Sequence, residues 1–429
     1  MTGSVSTSSV GVPLRLTVIA VEIPYPANHG GRIDIWRRVK ALRALGVDVQ
    51  LIFWSKHSLD PATVAMIQSH VTEFHRLRYP EGKRGALRRL WDLQAYPLEV
   101  TSRIVRGQQW QQLRRAVAAF KPDVVMADHV HCGVVAEALS QALSVPMIVR
   151  SHNIEHLHYR DMLAAAPNLK SKVRRFFSQN HFERFETGIL QRCLAFYDIS
   201  SVDLQFWRDR GFRNGHLLPP LIELPELPAD HAASLADSAD EPAYDVVFLG
   251  NLRTENNVTG VQWFLDRVLP LLRAQKPDVR VLIAGSEPVD WIAAACERAA
   301  NVTLLPDPPN ALAVYRSGRV CIDPVAVGRG VSMKSLDMLA AGRPIVSFGK
   351  GTSGLPEAVK GYFRVAPEPA AFAREILDCL AQPPALPDRD LLMAELGRGS
   401  IERFLAHLNG LLFPERVAVT SGRSTEKQG

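Results

Sequence analysis

Two doubly wound (Rossmann-like) parallel-sheet α/β domains facing a cleft are the fold class that this 429-residue sequence predicts. Three observations carry it. Strand-like apolar runs alternate with helical stripes, the alternation restarts after residue 243, and loops bearing glycine or asparagine follow several of the expected strand ends.

Residues 14–21, LRLTVIAV, form a short β-branched run between Pro13 and Pro24, which predicts a buried strand. In the segment GGRIDIWRRVKALRALG, Ile33, Trp36, Val39, Leu42 and Leu45 recur every three residues. That is a helical stripe, stopped by Gly46. VDVQLIFW is the next expected strand. The pattern returns with DVVMADHV (123–130), a helix around 133–143 and PMIVRSHN (146–153). The second half repeats the scheme with YDVVFLGNL (244–252), the helical VTGVQWFLDRVLPLLRA, VRVLIAG (279–285), VTLLP (302–306), VCIDPV (320–325) and RPIVSF (343–348). The halves do not align residue by residue, so the architecture repeats and the sequence does not.

The expected organisation is a disordered leader over 1–13, a first domain over 14–217, a Pro/Ala/Asp-rich linker over 218–243 and a second domain over 244–397. A terminal helix over 398–413 that crosses back to the first domain and a disordered tail over 414–429 complete it.

Composition narrows the function classes. Apolar residues make up 47% and charged residues 22%, ordinary for a globular protein. No run reaches the roughly 18 apolar residues of a spanning helix. Five cysteines lie scattered without CxxC spacing, which predicts reduced thiols in a cytoplasmic protein and neither a disulfide frame nor a zinc site. A net charge of +6 suits an anionic partner such as a nucleotide phosphate or a membrane surface, and equally suits ordinary solubility. The basic residues are dispersed and no recognition motif is present, so nucleic acid is not an expected partner.

Ligands of such sheets bind beyond the carboxyl ends of the strands, at helix N-termini. Four places meet that condition. In GRGVSMKSLDMLAAGRPIVSFG (328–349), Gly328 and Gly330 precede an expected helix carrying Lys334 and Asp337. Free amides and the helix dipole make an anion site there, Lys334 adds a point charge for phosphate, and Asp337 can accept from a ribose diol; the other reading is a glycine turn with an incidental surface lysine and acid. In PYPANHGGRIDIW (24–36), Gly30 and Gly31 let a phosphate or sugar approach, although GxGxxG and GK[ST] are both absent. In VRSHNIEHLHYR (149–160), His152 follows a strand end and is expected to contact substrate. His156 and His158 complete a superficial metal cluster that no HExxH spacing supports. In FLGNLRTENN (248–257), Asn251 and Arg253 can reach phosphate or sugar oxygens, or shape a plain turn.

From about Leu14 to Leu412 the order of these segments resembles the retaining glycosyltransferases of family 4 (the "glycosyl transferase group 1" type), which have the two-domain GT-B architecture. The matching residues are Pro24, Pro26, Gly30, Gly31, Leu42, Gly46 and Val49 at the start, His152 in SHN, and VVFLGNLRTENNVTGVQWFLDRVLPLL with Asn256 where proline is usual. The match continues through the GSEP turn and, most specifically, KSLDMLAAGRPIVSF.

The resemblance implies a metal-independent glycosyltransferase (hexosyltransferase type) with no cofactor. It would move sugar with retention from a UDP- or GDP-sugar to a glycan or lipid-linked acceptor, in cell-envelope or exopolysaccharide synthesis. The cysteine pattern and the basic, aromatic segments 83–96 and 170–190 add the expectation of a cytoplasmic protein, peripheral at the inner face of the cell membrane. By the resemblance, Lys334 and His152 would be catalytic, and Arg329, standing where the family has its first acid, would join them by binding phosphate or an acidic donor sugar, or would mark altered or lost activity. Gly30, Gly31, Asn251, Arg253, Gly285, Asp307, Gly328, Gly330, Val331, Ser332 and Asp337 would bind the donor.

Two departures stand out. The family usually carries Glu-x7-Glu where this chain has Arg329 and Asp337, and an Arg and a Lys where it has Asn251 and Asn257. A donor-binding partner protein without transfer, or an epimerase or hydrolase of the same fold, are the alternatives. The segments 83–96 and 170–190 mix basic residues with Trp91, Phe176 and Phe177. They read either as amphipathic helices packed on the core or as a surface for an anionic bilayer.

Overall fold

The computed structural model describes residues 13–80, 82–224, 242–326 and 330–415. Most of the expected leader, linker and tail lies outside the described residues, and so do Val327, Gly328 and Arg329. The chain forms two compact units, Met1–Tyr197 and Asp198–Gly429.

Seven strands make the first sheet: β1 (Arg15–Ala20), β2 (Asp48–Trp54), β3 (Glu73–Leu77), β4 (Val124–Asp128), β5 (Met147–Ser151), β6 (Ala195–Asp198) and β7 (Gly215–Leu217), in the order β3-β2-β1-β4-β5-β6-β7. Six make the second: β8 (Tyr244–Leu249), β9 (Val281–Gly285), β10 (Val302–Pro306), β11 (Gly318–Asp323), β12 (Ile345–Ser347) and β13 (Phe363–Val365), in the order β10-β9-β8-β11-β12-β13. The register pairs Val18 with Leu51 and Met126 in the first sheet, and Val247 with Leu282 and Cys321 in the second, all parallel. The two doubly wound parallel sheets are those the alternation predicts. In each, strand order reverses once, between β1 and β4 and between β8 and β11. Such switch points are where open α/β sheets bind ligands.

Burial on both faces explains why the central strands read as continuous apolar runs. In β8, Val246 and Phe248 join one core with Phe264, Ile283 and Phe372. Val247 points the other way, into a core with Leu282, Leu336 and Leu339. The helix Gly30–Ala44 follows the same logic, with one difference. Its buried face holds Ile35, Trp36, Val39 and Leu42 as its apolar pattern demands, but also Asp34 and Arg38.

Residues 218–222 of the expected linker are packed, with Leu218, Leu221 and Ile222 buried. The Ile222 amide donates to the Leu396 carbonyl at 2.7 Å. On the helix Arg398–Leu412, the His407 ring lies 3.9 Å from that of His216 in β7. Burial and that neighbour push the His216 pKa down to about 4.

Candidate active site

The second unit gathers its chemistry at the switch point between β8 and β11. β11 ends in Asp323, which is 2% exposed. The helix Met333–Ala341 starts after Gly330, which sits at φ 69°, and after Ser332, whose side chain does not cap it. The Ser335 amide donates to the Ser332 carbonyl at 3.1 Å, and the amides of Met333 and Lys334 before it are those an anion at this helix start would meet. Lys334, in that first turn, donates from Nζ to Asp323 Oδ1 at 2.8 Å and to Asn257 Oδ1 at 3.0 Å. The ammonium also lies 5.2 Å from the Phe248 ring centroid. An ammonium has three donors, so two fixed partners aim the third. Asn257 is held in turn, its amide donating to the Asn251 carbonyl at 2.9 Å. Asp337 is half-buried one turn along the helix. Burial, with the charge of Asp337 next, raises the Tyr315 phenol pKa well above its usual value.

The other expected donor contacts in this unit divide by role. Asn251 Oδ1 accepts from the Arg253 and Thr254 amides at 2.9 and 3.1 Å, and its Nδ2 donates to Glu287 Oε2 at 3.1 Å. That side chain shapes its own loop. Arg253 is largely solvated, 3.6 Å from Glu287 Oε1. Asp307 closes the turn after β10, its amide donating to the Gly285 carbonyl at 2.9 Å. Val331 abuts Gly354: a Cβ on that glycine would stand 3.0 Å from the Val331 methyl. Gly328 and Arg329 lie outside the described residues.

Gly285 is required by the fold itself. It sits at φ 156°, and a Cβ there would stand 1.7 Å from the Gly250 carbonyl oxygen. Gly285→Ala is expected to cost about 2–4 kcal/mol of stability. Urea unfolding of the purified variant measures it; an unchanged midpoint would mean that the β8 and β9 ends separate without cost.

The first unit holds a buried charged network at its own switch point, the β1/β4 junction. Arg38 pairs with Asp34 at 2.6 Å and with Asp128, the last residue of β4. Arg150 Nη2 donates to Asp34 at 3.1 Å, and His152 Nε2 lies 3.0 Å from Asp128 Oδ1. Burial alone would raise the pKa of Asp34; the Arg150 and Arg38 guanidiniums override it and hold it well below the usual range. Asp128 is lowered in the same way, by Arg38 and His152 against burial. An ionised carboxylate only accepts, so His152 carries its hydrogen on Nε2.

Gly30 and Gly31 open the helix that bears Asp34 and Arg38. A Cβ on Gly31 would meet only the His29 ring, at 3.8 Å, so packing leaves room beside that glycine.

The histidines of 149–160 separate. His156 Nδ1 lies 2.6 Å from Glu186 Oε2, while the His152 ring stacks on His129 at 4.8 Å. A different trio, His129, His131 and Glu155, brings ligand-type atoms within 4.8 Å of one another among the described residues. Two imidazoles and a carboxylate suit a zinc-type ion. As it stands, the trio is internally bonded: the two Nδ1 atoms are 2.6 Å apart, His131 Nε2 meets the Tyr159 hydroxyl at 3.0 Å, and His129 Nε2 is 3.4 Å from Glu155. Burial lowers both histidines well below their usual pKa, consistent with a neutral pair in which one ring donates to the other.

Sequence reasoning missed Asp323, Asn257 as the partner of Lys334, and the whole Asp34–Arg38–Asp128–Arg150 network. The available signal was a carboxylate closing a buried strand, seen in both MAD (126–128) and CID (321–323).

The family pattern described as "Glycosyl transferases group 1" matches residues 243–382, and that described as "Glycosyl transferase 4-like domain" matches residues 30–219. A Klebsiella pneumoniae protein, "Uncharacterized 44.6 kDa protein in cps region", is 26% identical over 376 residues, 85% of this chain and 90% of that protein. Among solved structures, Anabaena HepE in complex with UDP aligns with TM-score 0.58 at 12% identity, covering 92% of this chain and 99% of that one. Sucrose-phosphate synthase from Thermosynechococcus elongatus aligns with TM-score 0.55 at 17% identity, covering 96% and 98%.

Proposed function

Because this chain belongs to the GT-B-fold glycosyltransferases, we propose that it moves a sugar from a UDP- or GDP-sugar to a glycan or lipid-linked acceptor with retention and without a metal. One observation carries the donor side: an ammonium, fixed by Asp323 and Asn257, stands at the uncapped start of a helix beyond a parallel sheet. Lys334 and the helix amides would take the diphosphate, and Asp337 the ribose diol. As the glycosidic bond breaks, negative charge develops on the departing phosphate. Groups already oriented toward that charge lower the barrier without reorganising. Asp323 supplies the orientation. Arg253, solvated beside the same loop, adds charge for the phosphates.

In the first unit, Asp128 fixes the tautomer of His152, which would present its ring to the transferred sugar. Gly30 and Gly31 would admit donor or acceptor oxygens near Asp34 and Arg38. The UDP named in the HepE structure supports a uridine nucleotide. The Klebsiella relative from the cps region supports a role in cell-envelope or exopolysaccharide synthesis. Among the described residues no helix is long and apolar enough to cross a membrane. The proposed place is the cytoplasm, peripheral at the inner face of the cell membrane.

Incubation with a panel of nucleotide-sugars and a membrane-lipid or glycan extract tests this reading. Release of nucleoside diphosphate that depends on the extract, and a product with the donor's anomeric configuration by NMR, are expected. Binding without release would favour a non-transferring partner protein, and release without acceptor a hydrolase.

A further inference from the structure

The helices Gly82–Asp92 and Leu169–Gln179 carry their polarity inside out. In the first, the inward stripe is Gly85, Arg89 and Asp92, while Leu87, Leu90 and Trp91 on the opposite stripe are 70, 64 and 73% exposed. In the second, the inward stripe is Ser171, Arg175 and Ser178. Leu169, Val173, Phe176 and Phe177, spaced i, i+4, i+7 and i+8, face out at 78, 50, 50 and 37% exposure.

The inward polar groups are bonded into the protein. Asp92 takes both terminal nitrogens of Arg106 at 2.7 Å, Arg89 Nε donates to Thr101 Oγ1 at 3.4 Å, and Ser178 Oγ donates to Glu99 Oε1 at 2.7 Å. Both helices thus rest their polar sides on the same short helix, Leu98–Thr101. The outward apolar face is the packed arrangement of the fold, not a frayed edge.

Charge says what covers it. Lys83, Arg84 and Arg88 on one helix and Lys170, Lys172 and Arg174 on the other are exposed. The one acidic residue in either helix is the buried Asp92. Between the helices opens a cleft of about 920 Å³ lined by Lys56, Arg89, Arg103 and Arg174, with Glu99 as its acid. Apolar side chains ringed by cations, beside a cationic cleft, match a layer that is apolar inside and anionic at its surface.

We propose that this face docks on an anionic phospholipid bilayer. Leu87, Leu90, Trp91, Val173, Phe176 and Phe177 enter the acyl boundary, the lysines and arginines stand among the headgroups, and the cleft takes a lipid phosphate. This deepens the acceptor reading above and rests on it for its link to transfer, since a lipid-linked acceptor would be met where the protein docks. The docking itself needs neither donor nor acceptor.

Co-sedimentation of the full chain with vesicles tests it. Binding to phosphatidylglycerol–phosphatidylcholine vesicles is expected, with at least about tenfold weaker binding to phosphatidylcholine alone. The Leu90→Ser/Trp91→Ser/Phe176→Ser variant and the Lys83→Gln/Arg84→Gln/Lys170→Gln/Lys172→Gln variant are each expected to lose about tenfold or more. All these side chains are exposed, so circular dichroism should be unchanged, and either variant alone suffices. Free glycerol phosphate in excess is expected not to displace the protein; displacement would make the cleft a site for a soluble phosphate and overturn docking. Failure to bind the anionic vesicles, or binding that survives the serine variant, overturns it too. So does a dimer, seen by light scattering, that the serine variant abolishes while vesicles are ignored. A chain that binds vesicles and transfers no sugar leaves docking standing and sinks the transfer reading alone.

Discussion

Lys334→Ala is expected to lower the rate of sugar transfer by about 10²–10³-fold, the cost of deleting one preoriented group at a developing charge. The loss should fall on kcat as well as KM, because the ammonium meets more negative charge as the diphosphate departs than in the bound donor. The substitution also leaves Asp323, 2% exposed, without its cation, a penalty of about 1–3 kcal/mol on stability. Activity is therefore compared at a temperature where circular dichroism shows both proteins folded. Loss of transfer with the fold intact supports the assigned role. Transfer at the wild-type rate would mean that Lys334 serves only to satisfy Asp323.

Asp34→Asn is expected to destabilise the protein by about 3–5 kcal/mol, because it strips a carboxylate from two buried guanidiniums, Arg38 and Arg150. The urea midpoint should fall. The acid limb should also change. Asp34 titrates well below the usual carboxylate range when folded. The stability it contributes is therefore present above the unfolded value of about 4 and is lost as pH falls below it. Asp34→Asn should flatten that loss. An unchanged midpoint, or an unchanged acid limb, would mean that the network is more solvated than its burial shows.

The fold was legible where strands are buried on both faces. LRLTVIAV, DVVMADHV and VRVLIAG are continuous β-branched runs, and β1, β4 and β9 lie within them. The strands without that signal, β3, β6, β7 and β13, have between three and five residues each. β3, EFHRL, buries only its last residue and stands at the sheet edge, where a strand needs no apolar pattern. The site was legible where backbone chemistry dictates residue type. A glycine loop before a helix with an early lysine pointed to Lys334 as a candidate, whereas Gly285 stands where no side chain fits, which is a requirement of the fold.

What stayed hidden was partnership between distant residues. Nothing local in RIDIWRR marks Asp34 and Arg38 as buried, because their partners Asp128 and Arg150 arrive on strands about a hundred residues away. The segment GKRGALRRLWD was ambiguous for a different reason. Its apolar stripe fits a core helix and a surface helix equally, and only the partnered polar face settles which side is in.

Calorimetric titration of the full chain with UDP, GDP, ADP and TDP, repeated on Lys334→Ala, tests the central claim most directly. One nucleotide is expected to bind the wild-type chain at a single site, to stabilise it by about 2.7 kcal/mol at a hundred times its dissociation constant, and to lose that effect in the variant. Binding that Lys334→Ala leaves unchanged, or no binding by any of the four, would contradict a donor site at the start of the Met333–Ala341 helix.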